Sequence, residues 1–270
     1  MIVQHNITSM NANRQLGIVG GNLAKSTEKL SSGYRINRAA DDAAGLAISE
    51  KMRAQVRGLN RASDNAQDGI SLIQTAEGAM DQQHAILQRT RELVVQASNS
   101  GVLDENSGDF QKIQDEIDNL KQEYERINSQ TEFNKKKLLD DSYKDQFLQV
   151  GANNGQGITV AITKTAWTDI TVTGGAGKTI SGELNKVDTM INNVSTQRSN
   201  LGAIQNRLEY TVKVDDNTAE NLQSAESRIR DTDMADEMTR FSKESILQQA
   251  ATSMLAQANQ ANQGVLSLLQ

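Results

Sequence analysis

Between Met52 and Val94 an apolar side chain returns at every seventh position: Met52, Leu59, Ala66, Ile73, Met80, Leu87 and Val94. No other feature of the chain narrows its possible folds so far. A row held at strict seven-residue spacing predicts one long helix with a left-handed supercoiled seam. At ~1.5 Å per residue the row is roughly 63 Å long. Composition permits such a helix. The chain has no Pro, where average usage over this length would supply roughly thirteen, and Pro is what breaks helix interiors.

Two further rows need partners. Phe110, Ile113, Ile117, Leu120, Tyr124 and Ile127 alternate steps of three and four, and the turn-rich stretch 98–108 before them predicts an antiparallel return along the first helix. Leu184, Val187, Ile191, Val194, Leu201, Leu208, Leu222 and Ile229 form a third row, interrupted at Asp215 beside Val212-Lys-Val-Asp-Asp216. Three amphipathic helices bury their stripes by forming a bundle. Between the second and third rows the period falls to two. Ile158, Val160 and Ile162 alternate with Thr and Ala, and Ile170 and Val172 alternate with Thr. With glycines around them they predict one or two short hairpins at about 147–182. The fold class is therefore mainly α, a long antiparallel helical bundle with a small β-hairpin element.

The ends of the chain are unusual. Residues 1–13 and 247–270 contain no Lys, Arg, Asp or Glu. Leu16, Leu23 and Leu30 stand seven apart near the N-terminus, and Leu247, Ala251, Met254, Ala258, Ala261, Val265 and Leu268 keep a 4-3 spacing near the C-terminus. A helix exposed to water normally carries charge on its outer face. Uncharged polar faces with small seam residues point to helices surrounded by other helices in an assembly, and a weakly ordered polar tail is the alternative. Between the terminal row and the long helix, Ser31-Ser-Gly33 and Asn37-Arg-Ala-Ala-Asp-Asp42 break the pattern with turn and cap residues. Residues 31–44 read as a spoke, with Arg35, Arg38, Asp41 and Asp42 as candidates for bonds to neighbouring copies or as solvated turn charges.

Several functions are excluded or lack support. With no Cys, disulfide scaffolds, thiol catalysis and Cys-ligated zinc are ruled out. The net charge of −6 gives no reason to bind nucleic acid. Its distribution is uneven: residues 1–61 carry nine basic and four acidic side chains, and residues 62–150 nine and seventeen. The difference suits either complementary contacts between copies or an ordinary solvated surface. No apolar run reaches the ~18 residues of a membrane span, and the first residues lack the pattern of a secretory signal. Gly174-Gly-Ala-Gly-Lys-Thr179 resembles a phosphate loop, but Val172 stands where its first Gly is required. Asp231-Thr-Asp-Met-Ala-Asp236 lacks the calcium-loop glycine. His5 and His84 belong to no metal or triad motif. No catalytic residue, cofactor or metal is expected. The Thr-rich stretch from Thr163 to Thr173 could carry O-glycans, although ordinary strand threonines explain it as well.

Particular words in the chain do identify a family. Leu30-Ser-Ser-Gly-Tyr-Arg-Ile-Asn-Arg-Ala-Ala-Asp-Asp-Ala-Ala-Gly-Leu-Ala-Ile-Ser49, Asn65-Ala-Gln-Asp-Gly-Ile-Ser-Leu-Ile-Gln74 and Glu77-Gly-Ala resemble bacterial flagellins. So do Leu201-Gly-Ala-Ile-Gln-Asn-Arg-Leu208, Glu220-Asn-Leu, Glu226-Ser-Arg-Ile-Arg-Asp231, Met254-Leu-Ala-Gln-Ala-Asn259 and Val265-Leu-Ser-Leu-Leu269. The likeness covers about 1–140 and 184–270. Asn134-Lys-Lys-Lys137 stands where the family commonly has an Asn-Gly turn.

The resemblance implies a subunit that polymerises with copies of itself into a hollow filament for swimming. It implies N- and C-terminal helices paired as an inner coiled coil, D0, over 1–44 and 234–270, including the spoke 31–44. It implies a D1 bundle over 45–146 and 184–233, a β-hairpin region at 147–183, and no D2 or D3. Assembly residues would include Leu16, Leu23, Leu30, Arg35, Asp41, Asp42, Leu247, Met254, Val265 and Leu268. Further implied partners are the flagellar cap and hook-associated proteins, an export chaperone at the C-terminal segment, and the innate immune receptor TLR5. For the receptor the implied residues are Gln88, Arg89, Glu92, Leu93 and Glu116, with Leu93 partly exposed. Localisation would be extracellular, by flagellar type III export without a cleaved signal, and no enzymatic activity or membrane insertion is expected. A hook–filament junction protein shares similar termini and is the alternative.

Overall fold

A computed structural model describes residues 6–99, 108–172 and 178–267, with the side chains of 178–181 and 261–267 outside the description. Its elements are α1 (Ile7–Ser32), α2 (Ala43–Ala97), α3 (Asp109–Gln130), β1 (Glu132–Phe133), β2 (Lys136–Lys137), β3 (Gln146–Gln149), β4 (Gly157–Val160), α4 (Lys178–Arg230) and α5 (Met234–Ser267). The chain divides into two compact units, Met1–Ala54 with Glu220–Gln270, and Gln55–Ala219.

In the second unit the expected apolar rows form the core. Leu59, Ala66, Ile73, Met80, Leu87 and Val94 of α2 are buried, with Phe110, Ile113, Ile117 and Tyr124 of α3 and Val187, Val194, Leu201 and Leu208 of α4. Cross-links fix the directions. Arg89 meets Glu116 and Gln83 meets Asn128, so α3 runs antiparallel to α2. Arg91 meets Asp188, Arg198 meets Asp81, and Ser63 meets Asp216, so α4 is antiparallel to α2 as well. With a neighbour on each side, α2 buries adjacent pairs such as Leu72 with Ile73 and Leu93 with Val94.

One expected hairpin is present. β3 and β4 pair antiparallel, with Gln146 opposite Val160 and Gln149 opposite Gly157. The hairpin lies close against α2, where a side chain at Gly69 would come within 2.7 Å of Leu148. A second hairpin, β1–β2, lies where the family commonly has its Asn-Gly turn. Its turn residues Asn134 and Lys135 have φ of 49° and 63°, the positive values of a type I′ turn. One departure is the start of α4 at Lys178, so residues 178–183, expected with the β region, are helical.

Ile170 and Val172 do not form a hairpin. Both are buried, as the alternation requires, but 161–172 form no strand among the described residues. Of their backbone only Ile162 N–H is shown bonding another backbone group, the Tyr143 carbonyl. Side chains from the helices take the place of a sheet neighbour. Gln114 donates to the Ile170 carbonyl (3.2 Å) and accepts from Val172 N–H (2.7 Å). Lys186 donates to the Asp169 carbonyl, and Thr168 N–H approaches the Met190 sulfur. Asn128 donates to the Thr165 carbonyl at 3.3 Å. Tyr124 donates its hydroxyl to Thr165 Oγ1 at 2.7 Å and lies 3.2 Å from the same carbonyl. Burial pushes the Tyr124 phenol pKa up, the Thr165 hydrogen bond acting against it. Buried backbone groups need partners, and helix side chains can supply them as well as a strand can.

Candidate functional site: the terminal helix pair

The first unit is built on α1 and α5. Asn6 caps α1 by accepting from Ser9 N–H, and its amide donates to the Ala258 carbonyl at 2.9 Å. Ser9 donates to Asn259 at 2.8 Å. At the other end Gly33 takes φ of 74° as the C-cap of α1, a left-handed conformation that costs Gly little. The connectors then run side by side. Thr232 N–H donates to the Gly33 carbonyl, Arg35 N–H donates to the Arg230 carbonyl, and Tyr34 pairs antiparallel with Asp231. The helices are therefore antiparallel. The Arg230 guanidinium lies over the Tyr34 ring and bonds Glu50, whose carboxyl is held below its usual pKa by Arg230 and then Arg53.

The seam follows the heptad rule on both helices. On α1 the covered positions are Ser9, Ala12, Leu16, Val19, Leu23, Ser26 and Leu30, which includes all three expected leucines. On α5 they are Glu237, Phe241, Glu244, Gln248, Ala251, Leu255 and Ala258. This corrects the expected row, because Leu247 and Met254 lie one position away from Gln248 and Leu255 and face outward, 40% and 58% exposed. The side chain of Val265, and Leu268 entirely, lie outside the described residues. The same 4-3 spacing at 237–258 was readable in the sequence, but polar Glu244 and Gln248 hid it. As far as Ser267 the C-terminal stretch is helix.

Among the residues the pair leaves uncovered, large apolar side chains stand between polar ones such as Asn11, Gln15, Gln249 and Gln257. Ile7, Met10 and Ile18 on α1, and Ile246, Leu247 and Met254 on α5, are all exposed. Large apolar side chains standing outside the seam are suited to burial against further helices. Met254 lines a groove with Thr8, Asn11, Ala12, Gln15 and Ala251, and none of these residues is charged.

The spoke residues are used locally. Asp41 accepts from the backbone N–H groups of Arg38 and Asn37, and these two bonds, Arg38's the stronger, hold its carboxyl below the usual range. Asp42 caps α2 by accepting from Gly45 N–H at 2.8 Å. Arg35 donates to the Ile229 carbonyl, and Arg38 pairs with Glu28. Ile36 is buried beneath them. These four side chains shape the connector, which the sequence reading had offered as bonds to other copies or as solvated charges.

In the second unit Arg89 joins α2 to α3, donating from Nε and Nη2 to Glu116 at 3.0 and 2.9 Å, and from Nη1 to Glu92 at 3.1 Å. Glu116, and after it Glu92, raise the Arg89 pKa further. Gln88 contacts the His84 ring at 2.9 Å. Leu93 departs from expectation: it is 2% exposed and belongs to the core, because α2 has packing partners on two sides. Gln88, Arg89 and Glu92 are exposed and adjacent, with Glu116 half-buried beside them.

The geometry thus defines a helical subunit whose paired, charge-poor ends carry uncovered large apolar side chains. Residues 3–144 match the profile described as the bacterial flagellin N-terminal helical region, and residues 184–269 the C-terminal helical region. The chain is 54% identical over 275 residues to a flagellin of Halalkalibacterium halodurans, and 50% identical over 304 residues to one of Bacillus subtilis, in each case covering 100% of both chains. It is also 46% identical over 289 residues to the flagellar filament 31.3 kDa core protein of Treponema maltophilum, again across 100% of both. The chain belongs to the bacterial flagellin family, a family of structural proteins.

Proposed function

We propose that this chain is the structural subunit which copies of itself build into an extracellular flagellar filament for swimming. The observation that carries the reading is the set of large apolar side chains outside the seam of the α1–α5 pair, with Ile7, Ile18, Ile246 and Leu247 exposed in the single chain. Neighbouring copies would cover that surface, and each Å² of apolar area removed from water contributes about 25 cal/mol. The pair, with 1–44 and 234–270, serves as the inner D0 layer; 45–146 and 178–233 form D1, with the β region lying between them. A division of this kind is supported by the two compact units. Family membership supports extending the reading to export by the flagellar type III route, a chaperone at the C-terminal segment, and cap and hook-associated partners. Seeded elongation tests the reading. The purified protein should extend filaments from seeds, and deletion of 247–270 should abolish extension while Trp167 fluorescence still reports a folded second unit. Ile18→Glu and Leu247→Glu, both outside the seam, should also stop extension with helicity unchanged. Extension by either variant at the normal rate would refute it.

A second surface has its own support. Arg89, held by Glu116 and Glu92, presents a rigid charged cluster beside Gln88 on the α2–α3 face. We assign this cluster to recognition by TLR5, with buried Leu93 positioning the helix beneath it. Arg89→Ala should reduce receptor signalling by the monomer without loss of helicity, and unchanged signalling would remove the assignment.

A further inference from the structure

The chain has eight Met and no Cys, so thioethers are its only sulfur. Among the seven described, Met52 on α2 is half-buried and the other six fall at the extremes. Met80 and Met190, in the second unit, are 0% and 2% exposed, whereas Met10, Met234, Met238 and Met254, all on α1 or α5, are 67%, 48%, 50% and 58% exposed. Met10 and Met254 lie within or beside the two charge-free ends, and Met254 lines the α1–α5 groove. Apart from its sulfur that groove holds only amide, hydroxyl and hydrocarbon groups. A two-electron oxidant would find no more reactive atom there.

We infer that Met10 and Met254 are oxidation sites through which peroxide-class oxidants control assembly of the free subunit. The sulfur lone pair attacks one peroxide oxygen; an S–O bond forms, the O–O bond breaks, and the proton on the sulfur-bound oxygen passes to the departing hydroxide, leaving sulfoxide and water. Sulfur is oxidised by two electrons and the peroxide reduced by two. The sulfoxide is polar and a strong acceptor, whereas the thioether was apolar and adaptable. A groove and outer face suited to burial against another copy then hold a group that must be desolvated to be covered. The core sulfurs are shielded, so the oxidised subunit stays folded. In a filament the same two sulfurs are covered and escape. This inference rests on the filament reading.

The test uses the full-length monomer and dilute hydrogen peroxide. Peptide mass mapping should find one added oxygen at Met10 and at Met254, and none at Met80 or Met190, with the far-UV circular dichroism unchanged. Seeded elongation should fall about tenfold or more, and methionine sulfoxide reductases should restore it. M10L/M254L, which nearly conserves volume, should elongate equally before and after peroxide, while M234L/M238L should stay as sensitive as the parent chain. In finished filaments Met10 and Met254 should oxidise far more slowly than in the monomer. Normal elongation by the oxidised parent, equal loss in M10L/M254L, or equal oxidation rates in monomer and filament would each overturn the inference and leave the filament reading standing. Untreated protein that fails to elongate would remove both.

Discussion

The Tyr124–Thr165 contact permits a quantitative test of how the segment 161–172 is held. Tyr124→Phe keeps the ring that packs at 5.3 Å against Trp167 and deletes only the hydroxyl, which donates to Thr165 Oγ1 at 2.7 Å. The Thr165 carbonyl retains Asn128 at 3.3 Å, whereas its hydroxyl is left with only a long 3.5 Å approach to Gln83. One hydrogen bond contributes a net ~0.5–1.5 kcal/mol, and a buried group left poorly satisfied adds to the cost. The expected loss is about 1–2 kcal/mol, or roughly 2–8 °C in Tm for a unit of this size. Thr165→Val removes the other partner and should cost a similar amount. If the two act as one unit, the double variant should lose about 1 kcal/mol less than the sum of the singles. Urea unfolding followed by the single Trp measures all four proteins. Strictly additive losses, or a loss below about 0.5 kcal/mol for Tyr124→Phe, would refute the claim that this pair seats the segment.

Other expectations follow from individual sites. Lys135 holds a φ of 63° in an exposed turn; Lys135→Gly relieves about 1–2 kcal/mol of left-handed strain and returns part of it as unfolded-state entropy, so thermal unfolding should occur at higher temperature, by a net ~0.5–1 kcal/mol. Asp215 is buried with Oδ2 unpartnered, and burial, then Asp216, raise its pKa above the usual 3.8. Its penalty is therefore absent below that value and grows as pH rises through the raised one. The urea midpoint of Asp215→Asn should gain on the parent from acid to neutral pH and then level off; a gap independent of pH would contradict this. At Gly157 an added methyl would collide with the Phe147 ring and lie 2.7 Å from the Leu148 carbonyl oxygen. Gly157→Ala should cost about 1–3 kcal/mol, read as a lower Tm.

The sequence revealed most where one face of a helix is apolar and the other is not. The rows through Ile73, Ile117 and Val194 are such cases, and all three residues are buried. Leu93 misled because seven-residue spacing describes one seam, while α2 packs against both α3 and α4. The α5 seam was obscured because it contains polar Glu244 and Gln248, so an adjacent 4-3 row fitted better, and only contact with α1 selects Gln248 and Leu255 over Leu247 and Met254. Alternation at Ile170 and Val172 correctly signalled burial of every second residue. It could not specify whether a strand or the amides and ammonium groups of neighbouring helices would satisfy the backbone. The turn at Asn134–Lys135 was legible only through the resemblance, because Lys is an unusual occupant of a left-handed position.

The bonded connectors at Gly33–Arg35 and Arg230–Thr232 also have a mechanical meaning. A single strand leaving a helix end behaves as a swivel, free to rotate about its bonds. Two strands locked by backbone hydrogen bonds, with the Arg230 guanidinium clamped over Tyr34, cannot turn independently. Twist or tension entering through either terminal helix is shared with the other at this clasp, so the joint transmits torque where a lone tether would dissipate it.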